Sequence, residues 1–172
     1  QSWGHFNAYP LDLGKASTYT GSPDKFFKDA RDKGASFIQV NHPNSNGSYF
    51  DRTVTMKEDG LKLSKDYVGT YDGIEINGSW DDGDKKTLQE TYAFWNKGKK
   101  YTTLATSDTH NVWQASGGSG NLRTYVYVDG KLTVDKFVKA LDQQKAFWSY
   151  GPLVYMEANG KVPGETVSED TV

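Results

Sequence analysis

Three histidines occur in the chain: His5, His42 and His110. His42 stands in NHP, directly after the apolar run SFIQV. His110 stands in SDTH, directly after YTTLAT, with Asp108 two residues before it. In parallel α/β folds the carboxyl ends of the strands share one face, and ligands bind there. Strand order alone therefore places His42, Asp108 and His110 on one rim. Imidazole and carboxylate ligands without thiolate suit Zn²⁺, Mn²⁺ or Fe. A divalent metal held by such a set acidifies water and polarises a phosphoryl or carbonyl oxygen. Asp108 serves there either as a ligand or as the group that orients an imidazole. The competing reading of any single histidine is a surface or capping residue, and the D-x-H spacing alone is common.

Other residues offer softer signals. Arg123 opens the run RTYVYV and has the planar fork that binds an anionic group through paired hydrogen bonds; a structural ion pair is the alternative. Glu75 and Asn77 alternate with Ile74 and Ile76, so they share a face. They line a pocket, or Glu75 is a paired charge. GGSG at 117–120 presents backbone N–H groups to an anion, but lacks the following Lys-Ser/Thr of a phosphate-binding loop and reads as a surface loop. No G-x-S-x-G context supports a serine nucleophile.

The elements that must position these residues are readable from period and punctuation. SPDKFFKDARDKG predicts a helix with Ser22 as N-cap, Pro23 in its first turn, Gly34 at its stop and Phe26, Phe27 and Ala30 as its buried stripe. DDGDKKTLQETYAFWNKG predicts a second helix, with Leu88, Tyr92 and Trp95 on its apolar face and Gly98 after it. LTVDKFVKALDQQK predicts a third, capped by Thr133, with Val134, Val138 and Leu141 on one side. Strands are expected at 36–40, 73–76, 101–106, 122–128 and 152–157. Their alternation with helices implies parallel pairing. Residues 44–71, rich in Asn, Gly, Ser and Asp, read as a long functional loop. Asn-Gly and Pro-Gly in EANGKVPGETV predict a β-hairpin-like tail. About five strands and three main helices are too few for a closed (β/α) barrel, so the expected fold is a small open sheet or part of a larger barrel.

Composition bounds the possibilities. The 172 residues (19.2 kDa) fit one domain. Leu, Ile, Val and Phe number only 33, but the net charge is −2, and 5 Trp and 11 Tyr supply apolar area instead. Folding is expected, around an aromatic core. A pI near 5.9 argues against a general nucleic-acid or membrane-surface binder. The cluster Lys97, Lys99 and Lys100, near Lys85 and Lys86, reads as a solvated helix end. No cysteine is present, which removes disulfides, thiolate metal sites and thiol nucleophiles. No apolar run reaches membrane-spanning length. QSWGHFNAYP has neither the pattern of a secretory leader nor an initiator Met. The Tyr, Trp, Asn, Gly and Ser content resembles that of exported bacterial proteins.

GHFNAYPL (4–11), VNHPN (40–44), YDGIEIN (71–77), TSDTH (106–110), LRTYVYV (122–128) and SYGP (149–152) occur in an order that resembles the PHP-type metallohydrolases, most closely their CehA/McbA-like branch. The resemblance runs from about residue 4 to residue 166. It implies a distorted (β/α)7 barrel with metal at the carboxyl ends of its strands, and hydrolysis of phosphoesters or of other esters and carbamates. It makes His5, His42, Asp108 and His110 metal ligands and Arg123 a substrate-side residue. The H-x-H motif with which that family begins is not in this chain. The resemblance therefore implies the C-terminal part of the barrel in residues 1–152. The missing strands are expected from upstream chain, and the piece by itself is expected to be a poor catalyst. Residues 153–172 are expected to hold the last strand and the start of a β-rich segment.

Two other readings remain at this level. One is a non-catalytic carbohydrate-binding module using Trp80, Trp95, Trp113 and Trp148 as stacking platforms; Trp95, on its helix's apolar face, is expected in the core. The other is a degenerate member of the same fold whose site has lost its metal.

Overall fold

The computed structural model describes residues 3–17, 21–58, 60–76, 80–111 and 118–168. Asn77, Trp113 and Gly117 lie outside the described residues. The chain order is β1 (His5–Tyr9), α1 (Pro23–Asp32), β2 (Phe37–Asn41), α2 (Tyr49–Thr53), β3 (Val54–Lys57), β4 (Gly60–Leu63), β5 (Gly73–Ile76), α3 (Asp82–Asn96), β6 (Thr102–Ala105), β7 (Arg123–Val126), α4 (Val134–Asp142) and β8 (Ala146–Ser149). The fold is mixed α/β. A four-stranded sheet in the order β1-β2-β5-β6 is joined by two two-stranded sheets, β3-β4 and β7-β8. No barrel closes among the described residues. The expected count of five strands and three helices was too low: eight strands and four helices are present among them.

Strands β2, β5 and β6 run parallel, as expected of strands separated by helices. β1 departs from that rule and pairs antiparallel to β2, with His5 opposite Asn41. Its first residue thus lies where β2 ends. β7 and β8 are also antiparallel.

Pleating divides the large sheet into two faces. Phe6, Ile38, Val40 and Ile74 look toward the larger core, with Phe26, Phe27 and Ala30 of α1 and Tyr49 and Phe50 of α2. The core is as aromatic as the composition suggests. Tyr71 stacks on Tyr101 at 4.3 Å between ring centroids. On the opposite face Phe37 and Leu104 pack against Val138 and Leu141 of α4. Gly73 lies between them. A Cβ there would stand 2.4 Å from Leu104 Cδ1 and 2.7 Å from Phe37 Cε1. Gly73→Ala is therefore expected to cost about 1–3 kcal/mol through overpacking, read as a lowered midpoint in urea unfolding.

Several expectations need correction. The second helix buries Thr87, Glu90, Thr91 and Phe94 rather than Leu88, Tyr92 and Trp95. Tyr92 and Trp95 remain 48% and 37% exposed, and the Trp95 indole N–H donates to the Tyr101 carbonyl. The helix is turned by its partners. Asn44 reaches Thr87 and Glu90 from the loop after β2, and a reciprocal Asp81–Asp84 capping box fixes its start. Val134 of α4 is exposed as well. Residues 44–71 are not one loop, for they hold α2 and the β3-β4 hairpin. The strand expected at 152–157 does not form. Leu153, Val154, Tyr155 and Met156 have no partner strand among the described residues and are 67–81% exposed. The tail does turn back at Asn159 and Gly160, both at positive φ, where Ala158 and Lys161 exchange two backbone hydrogen bonds.

Candidate functional site

The carboxyl ends of β2 and β6 and the start of β1 meet at one rim, and the two best-placed histidines meet there. His5 Nδ1 and His42 Nε2 are 2.9 Å apart. Their rings are nearly perpendicular, with centroids 4.8 Å apart. Only one proton fits between two such nitrogens. Two imidazole nitrogens bound to one tetrahedral ion at about 2.0–2.1 Å stand roughly 3.3–3.4 Å apart. To act as two ligands they would have to separate by a few tenths of an ångström, lose the shared proton and turn both lone pairs toward one point. Partial burial, then the neighbouring His42, hold the His5 pKa below the usual imidazole range, and Asp108 opposes the shift. His5 is therefore neutral near pH 7, the form that binds a metal. The other His42 nitrogen, Nδ1, is buried without a hydrogen-bond partner among the described residues.

Glu75 sets the geometry beneath. It is 2% exposed, in the middle of the sheet. One carboxylate oxygen accepts the His42 backbone N–H at 2.8 Å, and the other accepts the Thr106 hydroxyl. The side chain thus ties the loop after β2 to the loop after β6. Burial pushes its carboxyl pKa up, and the two donors pull it back down. Both loops carry residues in the left-handed region, His42 at φ 28° and Asp108 at φ 45°. Such conformations are costly for residues with a side chain and persist where surrounding contacts hold them.

Asp108 and His110 reach the same rim but do not join the histidine pair. His110 Nδ1 lies 2.7 Å from the Asp108 carbonyl oxygen and 3.9 Å from its Oδ1. Both residues are close enough to bear on the charge of His5. Among the described residues, however, no three His, Cys, Asp or Glu side chains are grouped tightly enough to hold a metal ion. Of the expected four-residue set, His5 and His42 are brought together, and Asp108 and His110 do not converge with them. Arg123 is exposed at the start of β7 and borders a cavity of about 320 Å³ together with Thr106 and Ser107. Gly120, the last residue of GGSG, donates its N–H to Ser107 Oγ.

Comparison of the chain with protein-family models, with curated proteins and with solved structures gives no match. Among the described residues no helix is long and apolar enough to cross a membrane.

The sequence leaves Glu75 as either a pocket residue or a paired charge and does not single out Asn44. Alternation marked the face of Glu75, but nothing local marked its partners 33 and 31 residues away. The described tryptophans do not form a flat platform. Trp80 and Trp148 are inclined by 47° at 6.1 Å, and Trp95 is tied to the Tyr101 backbone.

Proposed function

We propose that this chain carries part of the active site of a metal-dependent hydrolase acting on phosphoesters or related esters, on a sheet belonging to a distorted (β/α)7-type barrel. The observation that carries this reading is the pair of facing nitrogens on His5 and His42, delivered from different strands to the rim where α/β folds bind ligands. The order of the HFN, NHP, GIEI, SDTH and RTYV segments supports it. His5 and His42 would hold the divalent ion (Zn²⁺, Mn²⁺ or Fe), with Asp108 and His110 as the nearest further ligands. When bound, such an ion polarises an ester oxygen and acidifies water. The chain's own contributions are separate. Glu75 fixes His42 and Thr106, the lowered pKa of His5 keeps it unprotonated, and Arg123 presents a cation to an anionic part of the substrate.

Calorimetric titration of the metal-stripped protein with Zn²⁺ and Mn²⁺ tests the assignment. One ion per chain is expected. His42→Ala and His5→Ala should each weaken it by more than the roughly 10–100-fold that losing an outer-shell partner costs. His110→Ala and Asp108→Ala should weaken it less than either, because their side chains stand outside the facing pair. Equal metal affinity in wild type and His42→Ala would show that the pair is only a hydrogen bond.

A further inference from the structure

The loop that carries His42 is held from two sides. On one side Glu75 accepts the His42 N–H. On the other, helix α3 holds the Asn44 side chain. Asn44 Nδ2 donates to Thr87 Oγ1 at 2.9 Å and to Glu90 Oε2 at 2.7 Å. The backbone between is a tight turn. The Ser45 N–H donates to the His42 carbonyl and the Phe50 N–H to the Pro43 carbonyl, both at 2.9 Å. The first turn of α3 stands close against it, for a Cβ on Gly83 would lie 3.3 Å from the Asn44 carbonyl oxygen. Release of the Asn44 side chain therefore loosens the turn that sets His42.

Bonding between Asn44 and Glu90 is incomplete in a specific way. Amide and carboxyl are both planar, and each carries two polar atoms. Nδ2 and Oε2 are bonded. The two left over, Asn44 Oδ1 and Glu90 Oε1, are buried and have no hydrogen bond among the described residues. Both are acceptors, and neither can serve the other. The neighbouring donors are engaged elsewhere. The Thr87 hydroxyl donates to the Gly83 carbonyl at 2.8 Å. Lys86 Nζ is bonded to Asp51 Oδ1 at 3.0 Å and stands 3.9 Å from Oε1. A single proton on Oε1, directed at Oδ1, satisfies both oxygens at once. That is how a carboxylic acid pairs with a primary amide.

We propose that Glu90 and Asn44 form a proton-operated latch on the His42 loop, closed by two hydrogen bonds, Nδ2–H to Oε2 and Oε1–H to Oδ1. When the proton leaves for solvent, one bond remains and two buried oxygens lose their donor, so the Asn44 side chain gives way. The latch acts on the loop whether or not His42 binds a metal, and so does not rest on the hydrolase reading. Its working range is set by the groups around Glu90. Burial raises the carboxyl to about 7, Asn44 and then Lys86 on the same helix oppose the rise, and Asp51 of α2 adds to it. Strands β4 and β5 also pack on α3. They bring Lys62, which is exposed, and Glu75, which is engaged by His42 and Thr106. The closed form is favoured at lower pH and is lost as pH rises through about 7.

Amide hydrogen exchange of the metal-free protein tests this, with rates corrected for the intrinsic effect of pH. From pH 6 to pH 8 the His42 and Ser45 amides of the wild type are expected to lose about tenfold in protection, since one bond is lost and two acceptors are stranded. The loss should be insensitive to low concentrations of urea, which marks a local opening rather than global unfolding. Glu90→Gln should keep the loop protected at both pH values, because its amide N–H replaces the acid O–H toward Oδ1. Lys86→Met should stay closed at pH 6 and open at higher pH than the wild type, since a charge that favours the carboxylate is gone. A ¹³C titration of the glutamate carboxyl carbons follows the proton itself. One carboxyl with a midpoint near 7 is expected in the wild type and none in Glu90→Gln. Protection that does not change between pH 6 and pH 8, or that falls equally in Glu90→Gln, overturns the latch. Loss of protection at pH 6 in Lys86→Met overturns it too, by making Lys86 the donor to Oε1. A Glu90 carboxyl already ionised at pH 6 does the same, for a water or a cation then fills the place of the proton.

Discussion

Glu75→Leu is expected to lower the unfolding free energy by about 3 kcal/mol and to weaken Zn²⁺ binding by roughly 10–100-fold, whereas Glu75→Gln stays close to wild type in both. The side chain is 2% exposed and receives the His42 N–H and the Thr106 hydroxyl. Leucine leaves both donors facing hydrocarbon, and each unsatisfied buried donor costs about 1–3 kcal/mol. The damage reaches the site through the backbone. His42 is held at φ 28°, and its N–H bond to Glu75 is one of the contacts that offset that conformation. Without it the peptide relaxes, and the His42 ring no longer faces His5. Glutamine has the same shape. Its carbonyl accepts the His42 N–H, while its amide donates to Thr106 Oγ, whose hydroxyl rotates away. Urea unfolding and zinc titration of the two variants check this. A Glu75→Leu variant as stable as wild type would mean that the two loops are positioned by something other than this carboxylate.

How far the rim was legible follows from the same residues. Parallel strands joined by helices have their carboxyl ends on one side, so any residue just after SFIQV or YTTLAT had to arrive there. His42 and the Asp108–His110 loop do. His5 reaches the rim for the opposite reason. β1 is antiparallel, so the beginning of that strand meets the end of β2. Nothing in HFNAY announces its direction, and only the resemblance pointed to His5 as a ligand. Sequence order brings the Asp108–His110 loop to the rim, and within it His110 Nδ1 meets the Asp108 carbonyl rather than the His5–His42 pair.

Other misses have local causes. The β3-β4 hairpin was hidden by charge, although Asp-Gly at 59–60 between alternating segments carried the turn signal. PLVYME has strand-forming residues, but residues 152–157 pair with no strand among the described residues and their side chains from 153 to 156 remain in solvent. Apolar spacing alone points to Leu88, Tyr92 and Trp95 as the inner face of the second helix. The structure instead buries a carboxylate there, because a partner far away in sequence has a side chain to meet it.

That carboxylate gives the second large effect. Glu90 is fully buried. Oε2 accepts from Asn44 Nδ2 at 2.7 Å, and Lys86 Nζ stands 3.9 Å from Oε1. Oε1 has no hydrogen bond among the described residues, nor has Asn44 Oδ1. Burial raises the carboxyl pKa from 4.5 to about 7, while Asn44 and Lys86 oppose the rise and Asp51 adds to it. A raised carboxyl pKa makes the folded chain hold a proton that the unfolded chain has already released. Stability contributed by this group is therefore greatest below about pH 4.5 and falls as pH climbs toward 7, by about 1.4 kcal/mol per pH unit. The whole loss is about 3 kcal/mol by pH 8, where the side chain is a buried carboxylate with one good donor. Glu90→Gln removes the charge and puts a donor in place of one bare oxygen. Its stability difference from wild type is expected to be small at pH 4 and to reach about 3 kcal/mol in the variant's favour at pH 8. Urea unfolding of both proteins at half-unit intervals from pH 4 to 8 measures this difference directly and cancels the titration of groups they share. A difference that stays constant across the range would place the Glu90 proton release outside it, and the Asn44 contact would then be an ordinary charged hydrogen bond.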